Sequence, residues 1–165
     1  MCLKITEKLD NTSQLILVAG YESGHACIYN ISPSSWSLIY SHRSHSQPVL
    51  SLSTHPSQQS FYTTAADANL VHHPIAFATQ PLRTVNTKHS GQTSLQIRND
   101  GRILVSAGWD GTGRVYSSTT LQQIAVLKWH VGALPVVEFS NSSTGKTWIV
   151  LGGKDAKITL WDVFN

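Results

Sequence analysis

An all-β fold of repeated antiparallel sheets is what this sequence of 165 residues predicts, on three observations. The first is a pair of matching hairpins: GGKDAKITLWD from Gly152 to Asp162 repeats the plan of GWDGTGRVY from Gly108 to Tyr116. Each reads as a small-residue strand end, a tight turn holding an Asp, and an alternating strand that finishes on an aromatic residue. Two further copies run from Thr63 to Pro74, around Asp67, and from Val18 to Ile31, around Glu22, so that the acids recur about every forty-odd residues. The second observation is a His about twenty to twenty-five residues ahead of each of the last three acids: His45 before Asp67, His89 before Asp110, His130 before Asp155. The third is turn punctuation between short alternating runs, with no sustained helical period. Four short strands per unit at this period are the signature of a propeller blade.

In chain order, the first blade takes strands near Cys2 to Thr6, Leu15 to Ala19, Ala26 to Ile31 and Trp36 to Tyr40. The second takes Val49 to Thr54, Phe61 to Ala65, Leu70 to Ile75 and Leu82 to Asn86, and the third Thr93 to Arg98, Ile103 to Ala107, Gly113 to Tyr116 and Gln123 to Leu127. The fourth has only Val136 to Phe139, Trp148 to Leu151 and Ile158 to Val163, which leaves it without an outer strand. Turn formers separate them: Ser32-Pro33-Ser34-Ser35, His55-Pro56-Ser57, Asn99-Asp100-Gly101 and Asn141 to Gly145. The expected blades are residues 1–44, 45–88, 89–130 and 131–165, together a partial ring read as the C-terminal half of a propeller. Open blade edges at both ends invite self-association.

The recurrent acids have a structural use. A carboxylate at a tight turn accepts hydrogen bonds from neighbouring backbone N–H groups and locks the loop. This order resembles that of WD-repeat blades, in which the His bonds the turn Asp while a Ser or Thr of the next strand and a closing Trp complete a buried network. The second blade supplies His45, Thr63 and Asp67, with His73 in the aromatic position. The third supplies His89, Ser106, Asp110 and Tyr116. The last supplies His130, Asp155 and Trp161, but Leu151 stands at the Ser or Thr position, so a partial network is expected. The first has Glu22 and, one residue out of register, Tyr29.

Composition narrows the function. A formal charge of +3, with Lys and Arg scattered singly, lacks the basic stripe of a nucleic-acid reader. Cys2 and Cys27 form no disulfide framework, and neither a secretory signal nor an apolar span occurs, so a reducing intracellular compartment is the default. Adjacent strand residues point to opposite faces, so His72 and His73 cannot readily share one metal ion. No G-x-S-x-G elbow, phosphate-binding Gly loop or Cys-x-x-Cys pair is present, and one acid per blade at a repeated turn suits structure better than catalysis. No catalytic residue, cofactor or metal is expected. Trp109, ahead of a turn Asp, and Trp129, ahead of a network His, lie toward loops and are candidate protein contacts.

VAGYESG at Val18 to Gly24, AGWDGTGRVY at Ala107 to Tyr116, LKWH at Leu127 to His130, and GGKDAKITLWDVF near the C-terminus together resemble the ASTRA-associated protein 1 family. They are also similar to the related guanine nucleotide-binding protein beta-like WD proteins. The resemblance covers nearly the whole chain. It implies a nuclear, non-enzymatic scaffold, with the cytoplasm as a second compartment. It further implies an ASTRA assembly linked to chromatin regulation and to maturation of phosphatidylinositol-kinase-related kinases, with Tel2, Tti1 and Tti2-type partners. The alternative is a general WD adaptor in Gβ-like signalling or in ubiquitin-ligase substrate recognition.

Overall fold

A computed structural model describes residues 1–7, 15–76, 78–140 and 146–162. Among these residues, fifteen strands form four separate antiparallel sheets. The first sheet is β1 (Cys2–Glu7), β2 (Leu15–Gly20), β3 (His25–Ser32) and β4 (Ser35–Arg43). The second is β5 (Val49–Thr54), β6 (Ser60–Ala65), β7 (Asn69–Pro74) and β8 (Arg83–Asn86). The third is β9 (Gln92–Ile97), β10 (Ile103–Gly108), β11 (Thr112–Ser117) and β12 (Gln123–Lys128). The fourth is β13 (Val136–Phe139), β14 (Trp148–Gly152) and β15 (Ile158–Asp162). Each sheet is a meander in chain order, and the described residues contain no helix. The all-β class and the three-stranded last sheet match the sequence expectation, with strand ends within a residue except that β4 runs three residues past the expected Tyr40, to Arg43; Val163 and the Asn141 to Gly145 turn lie outside the described residues.

The sheets pack face to face, and the core lies between them. Ile16, Val18, Ile28 and Tyr40 of the first meet Phe61 and Ile75 of the second. Tyr62 and Leu70 meet Leu95, Leu104 and Tyr116 of the third. Val105, Val115 and Leu127 meet Val137, Ile149 and Leu151 of the fourth. Alternation along each strand produces this, since every second residue faces the same neighbour. Burying each large aliphatic side chain stabilises the stack by about 1.5 to 3 kcal/mol.

The innermost strands β1, β5, β9 and β13 lie side by side in that order. They approach closely enough for serines to accept hydrogen bonds from the next strand's backbone: Leu95 N–H to Ser51 (3.0 Å), Ile97 N–H to Ser53 (3.2 Å) and Val137 N–H to Ser94 (3.2 Å). Small polar side chains on inner strands thus satisfy backbone donors that ladder pairing leaves free. The two outward faces stay uncovered. Leu3, Ile5, Trp36 and Leu38 are exposed on the first sheet, and Val136, Ile158 and Leu160 on the last.

Candidate functional site: turn networks and the face they support

The turn acids all sit at one end of the sheets, because each closes the hairpin between a blade's second and third strands. In the second sheet, Asp67 accepts from the N–H groups of Asn69 (2.9 Å) and Ser46 (2.8 Å) and from His45 Nδ1 (3.0 Å). His45 Nε2 meets Thr63 Oγ1 at 2.8 Å, Thr63 Oγ1 meets His73 Nε2 at 2.9 Å, and His73 Nδ1 meets the Tyr40 hydroxyl at 2.9 Å. Burial pushes the pKa values of His45 and His73 below the ordinary histidine value, which for His45 outweighs the pull of Asp67. Burial alone would raise the Asp67 pKa, but its backbone and His45 bonds hold it low.

Neutral rings and an ionised acid set the proton order. Tyr40 O–H donates to His73 Nδ1, His73 Nε2–H to Thr63, Thr63 O–H to His45 Nε2, and His45 Nδ1–H to Asp67. Every member is used once. The chain runs from the turn of the second sheet to the outer strand of the first, with His73 stacked on Phe61 at 4.5 Å between ring centres.

The fourth sheet repeats the plan with one exchange. Asp155 accepts from His130 Nδ1 (3.0 Å), Val131 N–H (3.3 Å) and Lys157 N–H (3.3 Å). The His130 hydrogen bond comes first among the causes that depress the Asp155 pKa. The network is not cut short at Leu151, as expected from sequence. Thr159, directly across the hairpin from Leu151, supplies the hydroxyl: His130 Nε2 lies at 2.9 Å from it, and Trp161 Nε1–H donates to it at 2.9 Å. Paired positions across a hairpin share one face, so either strand can carry the Thr. His73 stands where Trp161 stands, and its Nε2–H does the work of the indole N–H; its second nitrogen adds the bond to Tyr40 that an indole cannot accept.

The third sheet departs most from expectation. His89 is 44% exposed and its Nδ1 is 3.8 Å from Asp110, beyond hydrogen-bond range. The Arg114 guanidinium, whose side chain is only 4% exposed, instead donates to both Asp110 oxygens, while Thr112 N–H donates at 3.2 Å. Arg114 lies across the hairpin from Ser106, in the place of Thr159, and its planar fork fits a carboxylate better than an imidazole does. Neither the Ser106 nor the Tyr116 hydroxyl makes a hydrogen bond among the described residues. Burial would raise the Asp110 pKa, but Arg114 holds it low. Asp110→Ala is therefore expected to strand a buried guanidinium and cost about 1 to 3 kcal/mol. Asp100→Ala, at an exposed turn beside Arg98, costs less than about 1 kcal/mol. Urea denaturation of the two variants checks the ranking.

In the first sheet Glu22 is exposed, and Tyr29 bonds the Tyr21 hydroxyl at 2.8 Å rather than a His. Trp109 and Trp129 lie at the same end as the networks and are about half exposed. Trp109 N–H donates to the Gly91 carbonyl (2.9 Å), and its indole ring lies against the Gly91 Cα, where a Cβ would collide with it. Gly91 also has φ +74°, which disfavours other residues. Gly91→Ala is expected to lower the melting temperature and to shift tryptophan emission as the Trp109 ring is displaced. Among the described residues no three His, Cys, Asp or Glu side chains converge as metal ligands, and no helix is long and apolar enough to cross a membrane.

Four stacked meanders, three of them locked by a turn carboxylate, define a WD-repeat protein, and the model of the family "WD domain, G-beta repeat" matches residues 79–117. ASTRA-associated protein 1 of Verticillium alfalfae is 37% identical over 91% of this chain and 47% of its own length. The protein of that name from Schizosaccharomyces pombe is 37% identical over 91% and 44%, and that from Aspergillus flavus 31% identical over 99% and 51%. The resemblance to the ASTRA-associated protein 1 family, carried by the hairpin sequences, is thereby shown over nearly the whole chain. The chain spans about half the length of the curated relatives it matches.

Proposed function

We propose that this chain is a non-enzymatic protein-contact scaffold and a subunit of an ASTRA-type assembly. The observation that carries the reading is the 37% identity to ASTRA-associated protein 1 across 91% of the chain. The geometry supports it: Asp67, Asp110 and Asp155 are occupied by imidazole, guanidinium and backbone donors, which gives these acids a loop-fixing role. On this reading the partners are Tel2, Tti1 and Tti2-type proteins, the setting is the nucleus, and the role concerns chromatin regulation and maturation of phosphatidylinositol-kinase-related kinases. The four sheets form the C-terminal part of a larger ring, whose further blades cover the apolar faces of the first and last sheets; relatives of about twice the length are in keeping with this.

A second reading, a Gβ-like or ubiquitin-ligase adaptor, has the family model's G-beta repeat description behind it. Affinity purification of the tagged chain from its source cells, with protein identification, separates the two. Tel2, Tti1 and Tti2-type proteins support the first; Gγ or cullin-adaptor proteins in their place support the second.

A further inference from the structure

We infer that the network end of the third and fourth sheets binds an acidic peptide segment carrying a bulky apolar side chain. Three features converge there. Trp109, Trp129 and Val131 are 53%, 54% and 91% exposed. They belong to one surface: the turn after Trp109 abuts the loop after Trp129, and a Cβ on Gly111 would fall 2.8 Å from the His130 carbonyl oxygen and 2.9 Å from that of Gly132. The aromatic rings are held in place, Trp109 by Gly91 and Trp129 by an edge contact with His130 at 5.2 Å and by Lys157 at 5.0 Å from its ring centre. Rings already immobilised lose little entropy when a partner side chain packs on them.

Charge selects the partner. The acids of this surface, Asp110 and Asp155, are engaged by Arg114 and His130. Lys128, Lys154 and Lys157 are exposed, and no described ion pair holds them. At the opposite ends of the strands two of the cations are held in ion pairs, Arg98 with Asp100 at 2.6 Å and Lys146 with Asp162 at 3.8 Å. Fixed aromatic rings ringed by unpaired ammonium groups complement carboxylates flanking an apolar anchor. Val131 favours a peptide over a nucleic-acid strand, because an isolated aliphatic side chain gains from apolar contact and nothing from a phosphate.

This inference rests on the scaffold reading but not on which assembly the chain joins. The test pans a phage-displayed random-peptide library against the full chain and measures the enriched peptides, made synthetically, by titration calorimetry. Enriched sequences are expected to be net acidic with a Leu, Phe or Trp. Their affinity is expected to fall about tenfold or more for Trp129→Ala and for the Lys154→Glu/Lys157→Glu pair, and to stay unchanged for Trp36→Ala on the far sheet. No enrichment, enriched peptides without acidic excess, unchanged affinity in those variants at wild-type melting temperature, or competition by single-stranded oligothymidylate would each overturn it. Co-purification of assembly subunits is a separate result, so either idea can fail alone.

Discussion

Thr63→Val is expected to destabilise the chain by about 2 to 4 kcal/mol, far beyond what an isosteric change of one methyl for one hydroxyl suggests. Thr63 is fully buried, and its oxygen is the midpoint of the chain from Tyr40 to Asp67. Valine keeps the volume but leaves His45 Nε2 without a donor and His73 Nε2–H without an acceptor, two unsatisfied groups in a low-dielectric site. Thr159→Val removes the same link from the fourth sheet, where Trp161 is only partly buried and water can replace the hydroxyl. Its expected cost is about half as large. Chemical denaturation of both variants beside the wild type reads the difference. A Thr63→Val variant within about 0.5 kcal/mol of wild type would show that the chain of hydrogen bonds carries no stability.

Acid is expected to unfold the protein well above the range in which its carboxylates titrate. Burial lowers the pKa values of His45 and His73, and that of His72, shielded by its stack on Tyr62, goes down to about 4. For each, the unfolded chain binds its proton near pH 6.5 and the folded chain does not, so the unfolded state holds more protons as pH drops. Stability is therefore full above about pH 6.5 and is lost progressively toward pH 4, by up to about 1.4 kcal/mol per pH unit for each histidine still neutral in the fold. Below that, the depressed pKa values of Asp67, Asp110 and Asp155 act with the same sign, since their ionised forms are the ones bonded in the fold. His72 offers a control: its Nε2 is buried without a hydrogen-bond partner, so His72→Phe keeps the stack and removes one titration. A melting temperature flat from pH 7 to 5 in the wild type, or an equally steep loss in His72→Phe, contradicts this assignment.

The strands were legible because each blade repeats a short alternating run between turn formers, although central strands such as β6 and β10 are buried on both faces, between two neighbouring sheets. The turn acids were legible from their period. What escaped was the choice of partner within a blade. Spacing along the chain marks Ser106 and Leu151 as equivalent to Thr63, but cross-hairpin pairing makes Arg114 and Thr159 equally close to the same spot. The fourth residue after each acid carried that signal: Val71, Arg114 and Thr159 differ in what they offer the carboxylate or the imidazole. Tyr40 was out of reach for another reason, since its bond to His73 crosses between sheets and follows no period of the sequence.

Affinity purification of the tagged chain, run beside the Trp109→Ala/Trp129→Ala double variant, tests the scaffold reading most directly. The account predicts that Tel2, Tti1 and Tti2-type subunits accompany the wild type and are lost from the double variant while its melting temperature holds. Their absence from the wild type would contradict membership of an ASTRA-type assembly, and equal recovery from both would contradict the assignment of the contact to this face.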